Sequence, residues 1–178
     1  METKAMIFAI TAHNSVNHTY DNKPYSVHLT MVANVARKYI DIIPYQCQDE
    51  VLSACWLHDT IEDCRFTYND IKREFGENVA EIVHAVTNDK GKNRYERAGT
   101  KYYDGIRITK WATFVKLCDR LANIQYSAQT KSKMLEVYQK EHLHFIDSLL
   151  PLSSNKGQYK DLINEMKTTL QILTPITK

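Results

Sequence analysis

Between Cys55 and Asp63 the chain reads Cys-Trp-Leu-His-Asp-Thr-Ile-Glu-Asp, which sets a His58-Asp59 pair and a Glu62-Asp63 pair into an apolar stretch. Imidazole and carboxylate are the donors that hard and borderline divalent cations take, and they also move protons near neutral pH. On a continuous helix residues four apart share a face, so His58 is expected over Glu62 and Asp59 over Asp63. Val51, Leu52, Ala54, Cys55 and Leu57 accompany them, and a solvated face is not expected so deep in an apolar run. The pattern points to a divalent-metal hydrolase centre.

His58 and Asp59 are about 100° apart around a helix, so another element must complete any metal shell. His28 is one candidate. Asp119 is the other, because a carboxylate bracketed by Leu117, Cys118 and Leu121 needs a partner if buried. Arg120, its neighbour, points elsewhere on the helix. Each residue also has a plainer explanation. His28 alone reads as an unliganded helix histidine, Asp119 as an ion-pair partner, and Glu62 and Asp63 as solvated residues near a helix end. Together those explanations need four coincidences, whereas one metal centre accounts for all of them.

The positioning elements read as helices throughout. Residues 2–13 form a short packing helix, and a polar, turn-prone segment follows to Lys23. Ser26 is placed to cap a helix in which Val27, Met31, Val32, Val35, Ala36, Tyr39 and Ile40 recur at helical spacing. Pro44 precedes a helix over about 49–63 that holds both the His58-Asp59 and the Glu62-Asp63 pairs. Thr67 and Asp70 form a capping box, and Gly76 ends that helix. Val79, Ile82, Val83 and Val86 mark another. A basic loop runs from Asn88 to Arg97 into a weakly patterned segment through Tyr102 and Tyr103. Helices over 111–126 and 135–150 follow, then a linker from Pro151 to Gly157 and a last amphipathic helix to about Leu173. No alternating strand pattern, repeat or low-complexity tract intervenes. The expectation is all-α, one domain over 1–151, with the linker and C-terminal helix of 152–178 packed on it.

The 178 residues suffice for one real core, and 43% hydrophobic with 25% charged residues is ordinary for a soluble protein. A net charge of +2 is too small for a duplex-binding surface, so an anionic partner must meet a local pocket. Four cysteines without a C-x-x-C pair, and no signal peptide, predict reduced thiols in the cytoplasm. No run reaches transmembrane length. With five glycines and no glycine-rich phosphate loop, phosphates are not cradled by such a turn.

The order His28, His58-Asp59, Asp119 resembles the HD metal-dependent phosphohydrolase superfamily. More narrowly, the chain resembles the alarmone hydrolases of the RelA/SpoT group. The matching stretches are Pro24-Tyr25-x-x-His28, Leu57-His58-Asp59-Thr60-Ile61-Glu62-Asp63, Phe75-Gly76, Val79 to Val83, Val86-Thr87-x-Asp89-Lys90 and Lys116-Leu117-x-Asp119-Arg120-Leu121-x-Asn123. The short length is similar to the small stand-alone members, including the metazoan SpoT homologue. The resemblance implies an HD-domain helical bundle holding a metal, typically Mn²⁺, on His28, His58, Asp59 and Asp119. It implies Glu62 and Asp63 as the catalytic pair that positions and deprotonates water. It further implies Asn123, and Tyr138 on the following helix, as substrate contacts; the basic loop offers Lys90 and Arg94 for distal phosphates, Lys23 stands close before His28, and His18 is a candidate to stack on a base. The implied substrate is a phosphorylated nucleotide, (p)ppGpp or (p)ppApp, that loses its 3′-pyrophosphate.

Members that take guanosine tetraphosphate carry an Arg-Lys pair where this chain has Asn17-His18, and Gln125 and Ala122 also depart from the pattern. The motif therefore speaks to the reaction more than to the base. Two rival readings stay open. One is a nucleotidase or phosphatase acting on a 5′-monophosphate or NADPH, and the other is an antitoxin-like nucleotide-binding protein with little turnover. A homo-oligomer is compatible with all three.

Overall fold

Apolar residues at three- and four-residue spacing draw the helices around one that is apolar on nearly every side. The computed structural model describes residues 1–88, 96, 98–151 and 156–171. The central element is α8 (Ala112–Gln129), whose buried residues run from Phe114 and Leu117 through Leu121 to Ile124. A helix buried all round must be enclosed by others. α2 (Ser26–Lys38) crosses it on one side, α9 (Met134–Leu149) on another, and α10 (Lys160–Thr169) on a third. α3 (Tyr45–Leu57) packs against α1 (Glu2–Ser15), α2 and α6 (Glu77–Val86). α4 (Thr60–Asp63), α5 (Tyr68–Phe75) and α7 (Thr100–Ile108) complete the bundle among the described residues. The fold is all-α.

Several local expectations change. α3 begins at Tyr45, directly after Pro44, and stops at Leu57 instead of running through Asp63. Tyr25, not Ser26, occupies the N-cap position of α2, and the Ser26 carbonyl accepts a hydrogen bond from Thr30 Oγ1. The weakly patterned segment around Tyr102 and Tyr103 is regular helix, because Tyr102, Tyr103 and Ile106 bury one face. α10 ends at Thr169, short of Leu173, which lies outside the described residues.

The turn-prone segment before α2 contains a two-residue antiparallel ladder, β1 (Thr19–Tyr20) with β2 (Lys23–Pro24), pairing Thr19 with Pro24 and Tyr20 with Lys23. Asp21 and Asn22 join them with φ of 50° and 60°. Two positive φ values suit a tight hairpin, and Asp and Asn tolerate that region. The ladder is too short to leave an alternating pattern in the sequence. No described helix is long and apolar enough to cross a membrane.

The Thr67–Asp70 capping box is present in both directions. Gly76 then joins α5 to α6 at φ 87°, ψ 171°, a region essentially closed to side chains. A Cβ there would meet nothing within 4 Å, so the constraint is backbone strain alone. Gly76→Ala is expected to lower stability by about 1–3 kcal/mol without altering divalent-metal affinity. Denaturant unfolding and a metal titration check the two halves.

Candidate metal centre and its adjoining cavities

The α3 helix ends where the chemistry starts. Thr60 Oγ1 donates to the Leu57 carbonyl at 2.6 Å, and Asp59 sits at φ −101°, ψ 0°. His58 Nδ1 lies 2.9 Å from the Cys55 carbonyl, so it carries a proton and donates, which leaves Nε2 as the atom that faces the site. The stacking of His58 over Glu62 and of Asp59 over Asp63 expected for one continuous helix is therefore replaced by a turn.

His28 from α2, His58 and Asp119 from α8 present ligand atoms all within 4.8 Å of one another. The two Nε2 atoms are 3.2 Å apart, and Asp119 Oδ1 lies 3.3 Å from His28 and 3.8 Å from His58. Asp59 Oδ2 lies beside this trio, 2.9 Å from His58 Nε2 and 3.7 Å from His28 Nε2. Both histidines are 2% exposed. The two imidazole nitrogens and the Asp119 carboxylate are a donor set that could hold a divalent cation, and the carbonyl-fixed His58 tautomer is the one such binding needs. His28 Nδ1 is buried without a partner.

Other side chains brace the carboxylates. Tyr25 Oη donates to Asp59 Oδ2. Asn123 Nδ2 donates to Asp119 Oδ1 at 2.7 Å, while Asn123 Oδ1 accepts from Tyr20 Oη at 2.8 Å. Lys116 Nζ donates to Asp119 Oδ2 at 3.1 Å. Burial works against charge on Asp119, but Lys116 first and then the histidines hold it well below the usual carboxylate range. Burial likewise opposes charge on Lys116, and Tyr102 and Asp119 outweigh it. For His58, burial disfavours the imidazolium, yet Asp59 and then Asp119 raise the ring to about 9.

Glu62 and Asp63 are handled differently. The Glu62 carboxylate accepts from the Asn88 backbone N–H at 3.2 Å and from its side-chain amide at 3.0 Å. Asp63 is raised to about 7 by burial first, then by Asp59 and Glu62. Asp63 Oδ2 lies 3.7 Å from His18 Nδ1, and His18 Nδ1 is 2.9 Å from His13 Nδ1. His18 stacks on Tyr25 at 3.8 Å between ring centroids. That face of His18 is thus covered, and the ring is part of the protein's own stack. Asn17 holds a left-handed φ of 54°.

Two cavities meet at Asn123 and Tyr138. One, of about 290 Å³, is lined by Asp119, Lys116, Arg120, Tyr102 and His144 among others. The other, of about 440 Å³, is lined by Tyr20, Asp21, Tyr126, Ser127 and Thr130 among others. Lys23 stands outside both linings, with Nζ 2.8 Å from Tyr126 Oη. Lys90 and Arg94 lie outside the described residues. Arg120 does not point away from the site: it lines the cavity beside Asp119, pairs with Glu141 at 3.0 Å, and lies over Tyr138 and Phe145. Lys116, Arg120, Asn88 and Tyr20 were not expected at the site. Lys116 had a signal: it shares the apolar run of Asp119, one turn earlier, where a buried carboxylate finds its partner.

An all-helical bundle with histidines and carboxylates converging at its centre defines a class of metal-site protein. The chain belongs to the HD domain family, whose model matches residues 5–145. It is 33% identical over 119 residues to guanosine-3′,5′-bis(diphosphate) 3′-pyrophosphohydrolase MESH1 of Danio rerio, a match covering 66% of this chain and 64% of that protein. It is 35% identical over 107 residues to the guanosine-3′,5′-bis(diphosphate) 3′-pyrophosphohydrolase of Aquifex aeolicus, covering 58% of this chain and 14% of that one. The chain thus spans a little under two thirds of the first relative and a small part of the second. A solved structure of a metazoan SpoT orthologue, described as hydrolysing ppGpp, superposes with a TM-score of 0.71 at 22% identity over 97% of this chain and 96% of that one. That likeness is one of fold.

His58, held at about 9, must lose a proton to bind a cation. The sign follows: between pH 6 and 9 a divalent ion competes with a proton, so affinity rises with pH. The expected slope is up to about tenfold per pH unit for one displaced proton. Metal titrations by calorimetry across that range check it.

Proposed function

We propose that the chain is a divalent-metal-dependent pyrophosphohydrolase, served by Mn²⁺, that removes the 3′-pyrophosphate from (p)ppGpp or (p)ppApp. The observation that carries this reading is the convergence of His28, His58, Asp59 and Asp119 with Glu62-Asp63 one turn on. The names of the relatives support the substrate class. A bound cation would supply an acidified water and charge on the phosphoryl oxygens. His28, His58, Asp59 and Asp119 would hold it, with Tyr25, Lys116 and Asn123 fixing the carboxylates.

Asp63, raised to about 7, is matched to accept the proton of the attacking water. Glu62, tethered by Asn88, orients that water. Tyr138 and Asn123 stand where both cavities meet and contact the nucleotide there. His18 and Lys23 lie on the hairpin side, beyond Asp63 and Tyr126. Four unpaired cysteines support a reducing, cytoplasmic setting.

Purified protein with Mn²⁺ is expected to release pyrophosphate from at least one of the two alarmones. No pyrophosphate from either overturns the reading, and orthophosphate alone points to a nucleotidase. Glu62→Gln and Asp63→Asn are each expected to cut turnover by about 10²-fold or more while nucleotide binding persists. An unchanged rate removes that residue from the proton-transfer step.

A further inference from the structure

A groove between α9 and α10 lies apart from the metal centre. Its volume of about 410 Å³ is within the range of small-molecule sites, and it shares no lining residue with the two cavities that meet at Asn123 and Tyr138. Ile146 and Ile163 are buried along it, while Leu143 is 69% exposed at its edge. Lys160, Ile163, Asn164 and Lys167 are spaced to share one face of α10, and all four line the groove. We propose that the groove binds a medium-chain acyl carboxylate, with its head between His142, Asn164 and Lys167 and its chain over Leu143, Ile146 and Ile163. The site is independent of the hydrolase reading above.

His142 marks the place of the head. Its ring is 1% exposed, it lines the groove, and its Nε2 has no hydrogen-bond partner. Buried polar atoms are almost always paired, so an unpaired one beside a groove marks where a ligand atom belongs. Burial first, then the charges of Lys167 and Arg120, push the ring down to about 4, so it is neutral at pH 7. With its hydrogen on Nε2, a neutral ring donates to a carboxylate oxygen.

The lysines set the sign of the ligand. Lys156 pairs with Asp147 at 3.2 Å, so those two charges offset each other. Lys160 and Lys167 have no ion-pair partner among the described residues. They stand two helical turns apart, about 10 Å along α10, so only one can meet a given head. Lys167 is the one whose charge acts on His142. One ammonium with two neutral donors, His142 and the Asn164 amide, matches a single negative charge better than the double charge of a phosphate monoester. Lys160 then disfavours a cationic group at the far end. Leu143, Ile146 and Ile163 gain by meeting an apolar chain, and Leu143 gains most because it is the exposed one.

The test is calorimetric titration of butanoate, hexanoate and octanoate into the full chain. Affinity is expected to rise about three- to fourfold per buried methylene, and octylammonium should bind at least about tenfold more weakly than octanoate. Lys167→Glu reverses the charge at the head and should weaken octanoate by about tenfold or more, while Lys167→Arg stays within about threefold of wild type. Leu143→Ser removes an exposed apolar wall without touching the core and should weaken octanoate severalfold. His142→Gln should weaken it as well, and if that variant fails to fold the two surface variants still decide. No octanoate binding, no dependence on chain length, or unchanged binding in either Lys167→Glu or Leu143→Ser overturns the proposal. Octyl phosphate that binds more tightly than octanoate, and loses that binding in Lys167→Glu, overturns the carboxylate head. Phosphatidylglycerol vesicles that bind the chain when octanoate does not overturn it in favour of a membrane-facing surface. Alarmone hydrolysis, present or absent, leaves this outcome untouched, because Lys167 and Leu143 line neither cavity at the metal centre.

Discussion

Asp119 is a carboxylate on the most enclosed helix of the bundle, and the centre depends on keeping it charged. An unpaired carboxylate in such a place would take up a proton or open the packing. Lys116 one turn earlier, Asn123 one turn later and His28 across the helix interface together hold it ionised and aimed. Removing one partner of such a buried set costs more than its net contribution, because the others are left unmatched. The fold and the site are therefore coupled at α8: the apolar run that seats the helix also seats the charge.

The turn at His58 and Asp59 follows from the same demand. Adjacent residues on a continuous helix diverge by about 100°, so they can flank an ion but need another element to complete its shell. Ending α3 at Leu57 lets the His58 ring and the Asp59 carboxylate approach to 2.9 Å while Cys55 still fixes the His58 tautomer. The short α4 that follows carries Glu62 to Asn88 and Asp63 toward His18, so the acidic pair is held by different neighbours from those of the metal shell. Burial, then the neighbouring charges of Asp59 and Glu62, keep Asp63 high enough to exchange protons while Asp59 and Asp119 stay ionised.

The hairpin before α2 gives the centre its outer wall. Tyr25 reaches Asp59, Tyr20 reaches Asn123, and His13 and His18 lie against Tyr25. His13, His18 and Tyr25 thus form a stack of rings along this edge of the centre. Tyr126 and Lys23 extend the wall toward the larger cavity.

Residue types and their spacing within single helices determined much of this protein on their own. Apolar periodicity gave α8 and α6, the Thr67–Asp70 box and Gly76 gave the ends of α5, and the HD-x-x-ED and D-R-L-x-N patterns carried the family. Those features are local, because a cap or a stripe is written within a few positions. What tertiary structure alone decided is where a side chain points once helices cross. Sequence spacing put His58 over Glu62, but packing of the chain between α3 and α4 broke the helix instead. It set Arg120 aside, but the approach of α9 brings Tyr138, Glu141 and Phe145 around its guanidinium beside Asp119. The hairpin left no pattern, because two paired residues are too few to alternate. A His-His-Asp cluster drawn from α2, from the end of α3 and from α8 is a long-range object, and only the crossing of those elements brings its ligand atoms within 4.8 Å of one another.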